Sequence, residues 1–133
     1  MASPALPPDA PPKTRVLDVD LSATDYQEAC ARLIAWGRAR LGVYVVVCNV
    51  HTVMEAHAAP AYAAVLNGAA MATPDGMPLV WALRRLGRPA QQRVYGPDLL
   101  LAFADRAARA PGLSSYFYGG AAGVAEEIGR AHV

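Results

Sequence analysis

Val43-Tyr44-Val45-Val46-Val47-Cys48-Asn49 is the stretch on which the fold turns. Its residues are β-branched or apolar at successive positions, so a strand built from it would have both faces covered. Buried strands of a parallel sheet read this way. The run ends in a polar cluster, Asn49-Val50-His51-Thr52, and two more clusters follow: Thr73–Pro78 (TPDGMP) and Arg93–Asp98 (RVYGPD). Each follows a short apolar run and opens into a helix-like pattern. In an open α/β sheet such positions fall at the carboxyl ends of strands, where ligands bind.

Working outward, Val16–Leu21 reads as a short strand or edge segment. Thr24-Asp25-Tyr26-Gln27 fits a capping box with Thr24 as N-cap. Tyr26, Cys30, Leu33, Ile34 and Leu41 then recur at helical spacing, with Gly42 as the stop. A helix from near His51 breaks before Pro60, and another runs from Pro60 to Asn67, closed by Gly68. Ala69–Thr73 is a strand, and Pro78 and Gly87 bracket a helix. Arg93–Tyr95 is a short strand or turn, and Pro97 opens a helix carrying Leu99, Leu100, Phe103 and Ala107. Ser114–Tyr118 is a strand, Gly119-Gly120 a turn, and a helix follows from Ala121. Trp36 and Trp81, spaced helically with leucines, are expected in the core.

Strands alternating with helices imply an α/β fold, a Rossmann-like parallel sheet flanked by helices. The expected organisation is a proline-rich mobile leader over residues 1–15 and a partial α/β domain over 16–133. The last helix runs to Val133 with no strand after it. The domain is therefore expected to be truncated at its C-terminus and inactive as it stands.

Composition narrows the function. Hydrophobic residues make up 54% of the 133 residues and charged ones 17%, enough apolar surface for one packed domain. The net charge is +1, Lys13 is the single lysine and the arginines are scattered, which disfavours nucleic acid as a partner. Cys30 and Cys48 form no CxxC pair and read as reduced thiols. The most apolar window, Leu41–Val50, is about half the roughly 20 residues of a membrane-spanning helix.

Asp75 is the first candidate for chemistry, because Pro74 and Gly76 fix a tight turn that holds its carboxylate at the sheet edge. Position alone gives equal weight to a helix N-cap and a catalytic base. Arg93, beside a glycine-containing turn and a helix start, suits a diphosphate, and a surface pair with Asp98 is the alternative. Asp98 by itself is an N-terminal helix charge. Gly119-Gly120-Ala121-Ala122-Gly123 resembles a phosphate loop but lacks the full GxGxxG. Cys48, His51 and His57 match no compact zinc spacing, and His51 reads as a helix-start residue or a ligand contact.

Taken in order, NVHTVMEA, TPDGMPLVWALRRLG, RVYGPDL and the YGG turn resemble the WecG/TagA/CpsF family of bacterial glycosyltransferases, from about Val43 to Ile128. The resemblance implies transfer of an N-acetylmannosamine-type or related sugar from a UDP donor to a polyprenyl-diphosphate-linked acceptor. Wall teichoic acid, exopolysaccharide and related surface polymers are its products. It also implies that Asp75 is the catalytic base and Arg93 a donor-diphosphate contact. Asn49 belongs to the family's strand-end motif, and His51, Thr52, Gly96, Asp98, Gly119 and Gly120 are taken with it as candidate substrate contacts. No cofactor is implied, and with no DxD motif the chemistry is expected to be metal-independent. Val47 stands where many members carry threonine, which removes a hydroxyl from that part of the site. Family members are expected in the cytoplasm, peripheral at the inner face of the cell membrane through a basic C-terminal part, and a homo-oligomer is compatible with this reading. The competing readings are a non-catalytic nucleotide-binding module and, disfavoured by the incomplete glycine pattern, a Rossmann-type oxidoreductase domain.

Overall fold

The structure, a computed structural model, describes residues 5–131. It is a mixed α/β fold. A hairpin comes first, β1 (Lys13–Val16) and β2 (Val19–Ser22), antiparallel with Thr14 opposite Leu21. Helix α1 (Tyr26–Ala39) follows, then β3 (Val45–Cys48), α2 (Val50–Ala58), α3 (Pro60–Asn67) and β4 (Met71–Pro74). The chain continues through α4 (Met77–Arg85), α5 (Gly96–Ala108) and α6 (Val124–Ala131).

β3 and β4 are parallel, with Val45 opposite Met71 and Cys48 opposite Pro74. The ladder continues past both ends, as Ala70 N–H donates to Tyr44 O at 2.9 Å and Asp75 N–H to Cys48 O at 2.7 Å. On the far side of β4, Ala72 N–H donates to the buried Ser22 hydroxyl at 2.9 Å, which ties the hairpin to the sheet. Pro74 has no N–H to leave unpaired there, and its carbonyl accepts from Val94 N–H at 2.9 Å. Single bonds to Ser22 and Val94, rather than a third strand, thus meet that side of β4.

Alternation along the strands sends side chains to two cores. Val46, Cys48 and Ala72 pack with Val53, Ala56, Ala63, Leu66, Leu79 and Leu83 from α2, α3 and α4. Val45 and Met71 pack with Ala29, Cys30, Trp36 and Leu99 from α1 and α5. Helices therefore cover both faces of the parallel pair, which is why the Val43–Asn49 run carries no polar face.

Several elements differ from the sequence expectation. The N-cap of α1 is Asp25, whose carboxylate accepts from Glu28 N–H at 2.8 Å, and not Thr24. Thr24 is instead buried, with its backbone bound to Gln91. Helix α1 ends at Ala39, before Leu41 and Gly42, because Arg40 adopts a left-handed conformation. Ser114–Tyr118 is not a strand: no strand pairs with it among the described residues, and Tyr116 and Tyr118 are 90% and 93% exposed. Trp81 is 59% exposed and not core, whereas Trp36 is buried as expected.

The expected leader makes defined contacts from Pro7 onward. Pro7 and Pro11 are buried, Trp36 Nε1 donates to Asp9 Oδ1 at 2.9 Å, and Arg32 Nε donates to Asp9 O at 2.8 Å. Lys13 then opens β1 and donates from Nζ to Ala69 O at 2.6 Å. Burial lowers the Lys13 pKa, against the raising influence of Asp20 and Cys48.

Candidate active site

Three chain segments meet at the carboxyl edge of the parallel pair. Cys48 and Pro74 are partners in the register, so Asn49 and Asp75 leave the sheet side by side. Val94, bound to Pro74, brings Arg93, Tyr95 and Gly96 to the same edge.

The two roles open for Asp75 are separated by its contacts. The N-cap of α4 is Gly76, with no side-chain cap bond, so Asp75 does not cap that helix. Its Oδ2 accepts from Gly96 N–H at 3.2 Å, at the start of α5, and its Oδ1 accepts from Arg93 Nη2 and Nε at 3.1 and 3.3 Å. The carboxylate is 14% exposed and the arginine side chain 47%. Arg93 thus pairs with Asp75, not with Asp98. Its guanidinium carbon also lies 4.5 Å from the centroid of the Tyr95 ring, a cation–π contact. Arg93 Nη1 has no hydrogen-bond partner among the described residues.

Gly96 lies at a close approach to its neighbours. A Cβ there would lie 3.2 Å from Val47 Cγ1 and 3.6 Å from Asp75 Oδ2. Val47 therefore forms the apolar wall beside the Asp75–Gly96 bond.

The other predicted residues are less concentrated. Asn49 caps α2, its Oδ1 accepting from Thr52 N–H at 2.9 Å and from the Thr52 hydroxyl at 3.0 Å. His51 is exposed in the first turn of α2 and pairs with Glu55 at 3.3 Å. Asp98 is exposed in the first turn of α5. Gly119 and Gly120 form an exposed turn before α6, and no hydrogen bond among the described residues links it to Asp75. Among the described residues no group of three or more His, Cys, Asp or Glu is arranged to hold a metal. Burial pushes the Cys48 thiol up to about 11, so it stays protonated at neutral pH.

Sequence reasoning missed the residues that hold this corner in shape. Gln91 is buried and bonds the Thr24 backbone through both ends of its carboxamide. Tyr26, read only as part of a helical pattern, accepts from Tyr95 N–H at 2.9 Å. A polar Gln inside an otherwise turn-like stretch was the available signal, but its partner lies 67 residues away.

Comparisons with known proteins identify the family. The model of the glycosyl transferase WecG/TagA/CpsF family matches residues 14–132. The chain is similar to an N-acetylglucosaminyldiphosphoundecaprenol N-acetyl-beta-D-mannosaminyltransferase of Bacillus spizizenii, 37% identical over 90 residues. That match covers 67% of this chain and 35% of the relative, so the chain spans about a third of the length of the curated relative it matches. No helix among the described residues is long and apolar enough to cross a membrane. With nearly the whole chain matched, and with the Asp75, Arg93 and Gly96 motifs gathered at one sheet edge, the chain belongs to the WecG/TagA/CpsF family of glycosyl transferases.

Proposed function

We propose that this protein is an inverting glycosyltransferase that moves an N-acetylmannosamine-type or related sugar from a UDP donor to a lipid-diphosphate-linked saccharide, in cell-surface polysaccharide synthesis. The observation that carries the proposal is the placement of Asp75. Its carboxylate does not cap α4; it is oriented by the first backbone N–H of α5 and set against the Arg93 guanidinium at the carboxyl edge of the sheet. The relative's name supports both the acceptor class and the sugar class.

In this reading Asp75 takes the proton of the acceptor hydroxyl as that oxygen attacks the anomeric carbon. The bond from that carbon to UDP breaks, and its electron pair goes to the terminal phosphate oxygen. Arg93 offsets the charge that develops there, with Nη1 available and Nη2 shared with Asp75. The N-terminus of α5 adds its partial positive charge on the same side. Asn49, His51, Thr52, Gly96, Asp98, Gly119 and Gly120 are the remaining substrate contacts of this reading. No metal takes part in it. A peripheral position at the inner face of the membrane brings the site to the acceptor.

A non-catalytic nucleotide-binding module is the competing reading. It is favoured by Val47, an apolar wall where a hydroxyl would otherwise reach the substrate, and by Asn49, whose oxygen is occupied in a cap. Assay of the intact protein with a panel of UDP-sugars and a short-chain lipid-diphosphate acceptor separates the two. Metal-chelated transfer that is lost in Asp75→Asn supports the enzyme. UDP binding without transfer overturns it in favour of the module.

A further inference from the structure

Arg93 sits in a segment without regular secondary structure, between α4 and α5, yet the residues on both sides of it are held. Before it, the buried Gln91 donates from Nε2 to Thr24 O at 2.7 Å and to Gln92 O at 2.8 Å, and accepts at Oε1 from Thr24 N–H at 3.3 Å. Arg84 Nε donates to Gln91 O at 2.8 Å. After it, Val94 N–H is bound to Pro74, Tyr95 N–H to the Tyr26 hydroxyl, and Gly96 N–H to Asp75. The segment is therefore tied to the start of α1 at two points, Thr24 and Tyr26, through groups that apolar packing does not require.

Tyr26 is the more telling of the two. Its ring packs against the cluster that includes Val94 and Leu99, and a phenylalanine would do the same. The Tyr95 N–H bond to this hydroxyl is solvent-exposed, so water can replace the hydroxyl as acceptor. The hydroxyl is thus dispensable for burial, and what it fixes is the direction of the Tyr95 backbone. The Tyr95 ring in turn carries the Arg93 guanidinium.

We infer that Tyr26, with Gln91, is a positioning residue that aims Arg93, through Tyr95, at the donor diphosphate. This rests on the proposed diphosphate role of Arg93. The test is calorimetric titration of the intact protein with UDP, using Tyr26→Phe, Arg93→Ala and the double variant. Tyr26→Phe is expected to keep the wild-type melting temperature and to weaken UDP binding about three- to tenfold, the worth of one hydrogen bond. In the Arg93→Ala background the same change should cost nothing, because the group being aimed is gone. Unchanged affinity in Tyr26→Phe, or an equal loss in both backgrounds, overturns the inference while leaving the role of Arg93 standing. If Arg93→Ala itself binds UDP like the wild type, the diphosphate reading fails and the aiming role falls with it.

Discussion

Among the described residues, two contacts between a carboxylate and a basic side chain join distant parts of the chain, and they are not alike. Asp18 and His57 meet at 2.6 Å, between the β1–β2 turn and the last turn of α2, with side chains 50% and 53% exposed. Asp75 and Arg93 meet at 3.1 Å, but there the carboxylate is mostly covered and also accepts a backbone N–H. The shorter contact is the weaker candidate. Exposed pairs are screened and contribute little. A carboxylate fixed at two oxygens, at the carboxyl edge of a parallel pair, is oriented before any substrate arrives. Restriction and location mark a site better than proximity does.

Asp75→Asn should separate the two pairs most sharply. Asparagine offers one acceptor oxygen, so it can serve Gly96 N–H or Arg93 but not both, and it cannot take up a proton. Turnover is expected to fall about 10²- to 10⁴-fold, with UDP binding largely retained in a direct titration. Wild-type turnover would return Asp75 to a purely structural role. Arg93→Ala comes next. Loss of a charged hydrogen-bond donor to the diphosphate should weaken UDP binding about ten- to a hundredfold, read by the same titration at fixed ionic strength.

Gly96→Ala is a finer probe of the same corner. The added methyl presses on Val47 at 3.2 Å, and because Val47 is partly exposed it can yield. A stability loss of about 1 kcal/mol in chemical denaturation is expected, together with slower transfer as the Gly96 N–H shifts from Asp75. The smallest effect belongs to the surface pair. His57→Ala should cost less than about 1 kcal/mol and leave transfer unchanged. A large loss of activity in that variant would break the contrast between the two pairs.

How far each feature could be read in advance depended on how local its cause is. The strand at Val45–Cys48, the break between α2 and α3 at Pro60, and the starts of α4 and α5 at prolines follow from side-chain shape and backbone restriction at the residues themselves. Thr24 and Asp25 are both good caps, and Asp25 takes the role while the Thr24 backbone is held by Gln91, 67 residues along the chain. Ser114–Tyr118 has strand-like composition, but a strand exists only where another backbone pairs with it. Trp81 shares helical spacing with buried leucines, yet it lies on the side of α4 that faces out.

By itself the sequence determined the alternation of apolar runs and helices, and hence an α/β fold with its polar clusters at strand ends, because those signals have short periods. It also singled out Asp75 and Arg93 as residues of interest through the turns around them. That they touch each other, that Gly76 and not Asp75 heads α4, and that Tyr26 and Gln91 brace the segment between was decided only by tertiary structure. Those contacts join residues 18 to 69 positions apart. Side-chain bonds across such separations depend on how the layers pack, and no local pattern encodes that.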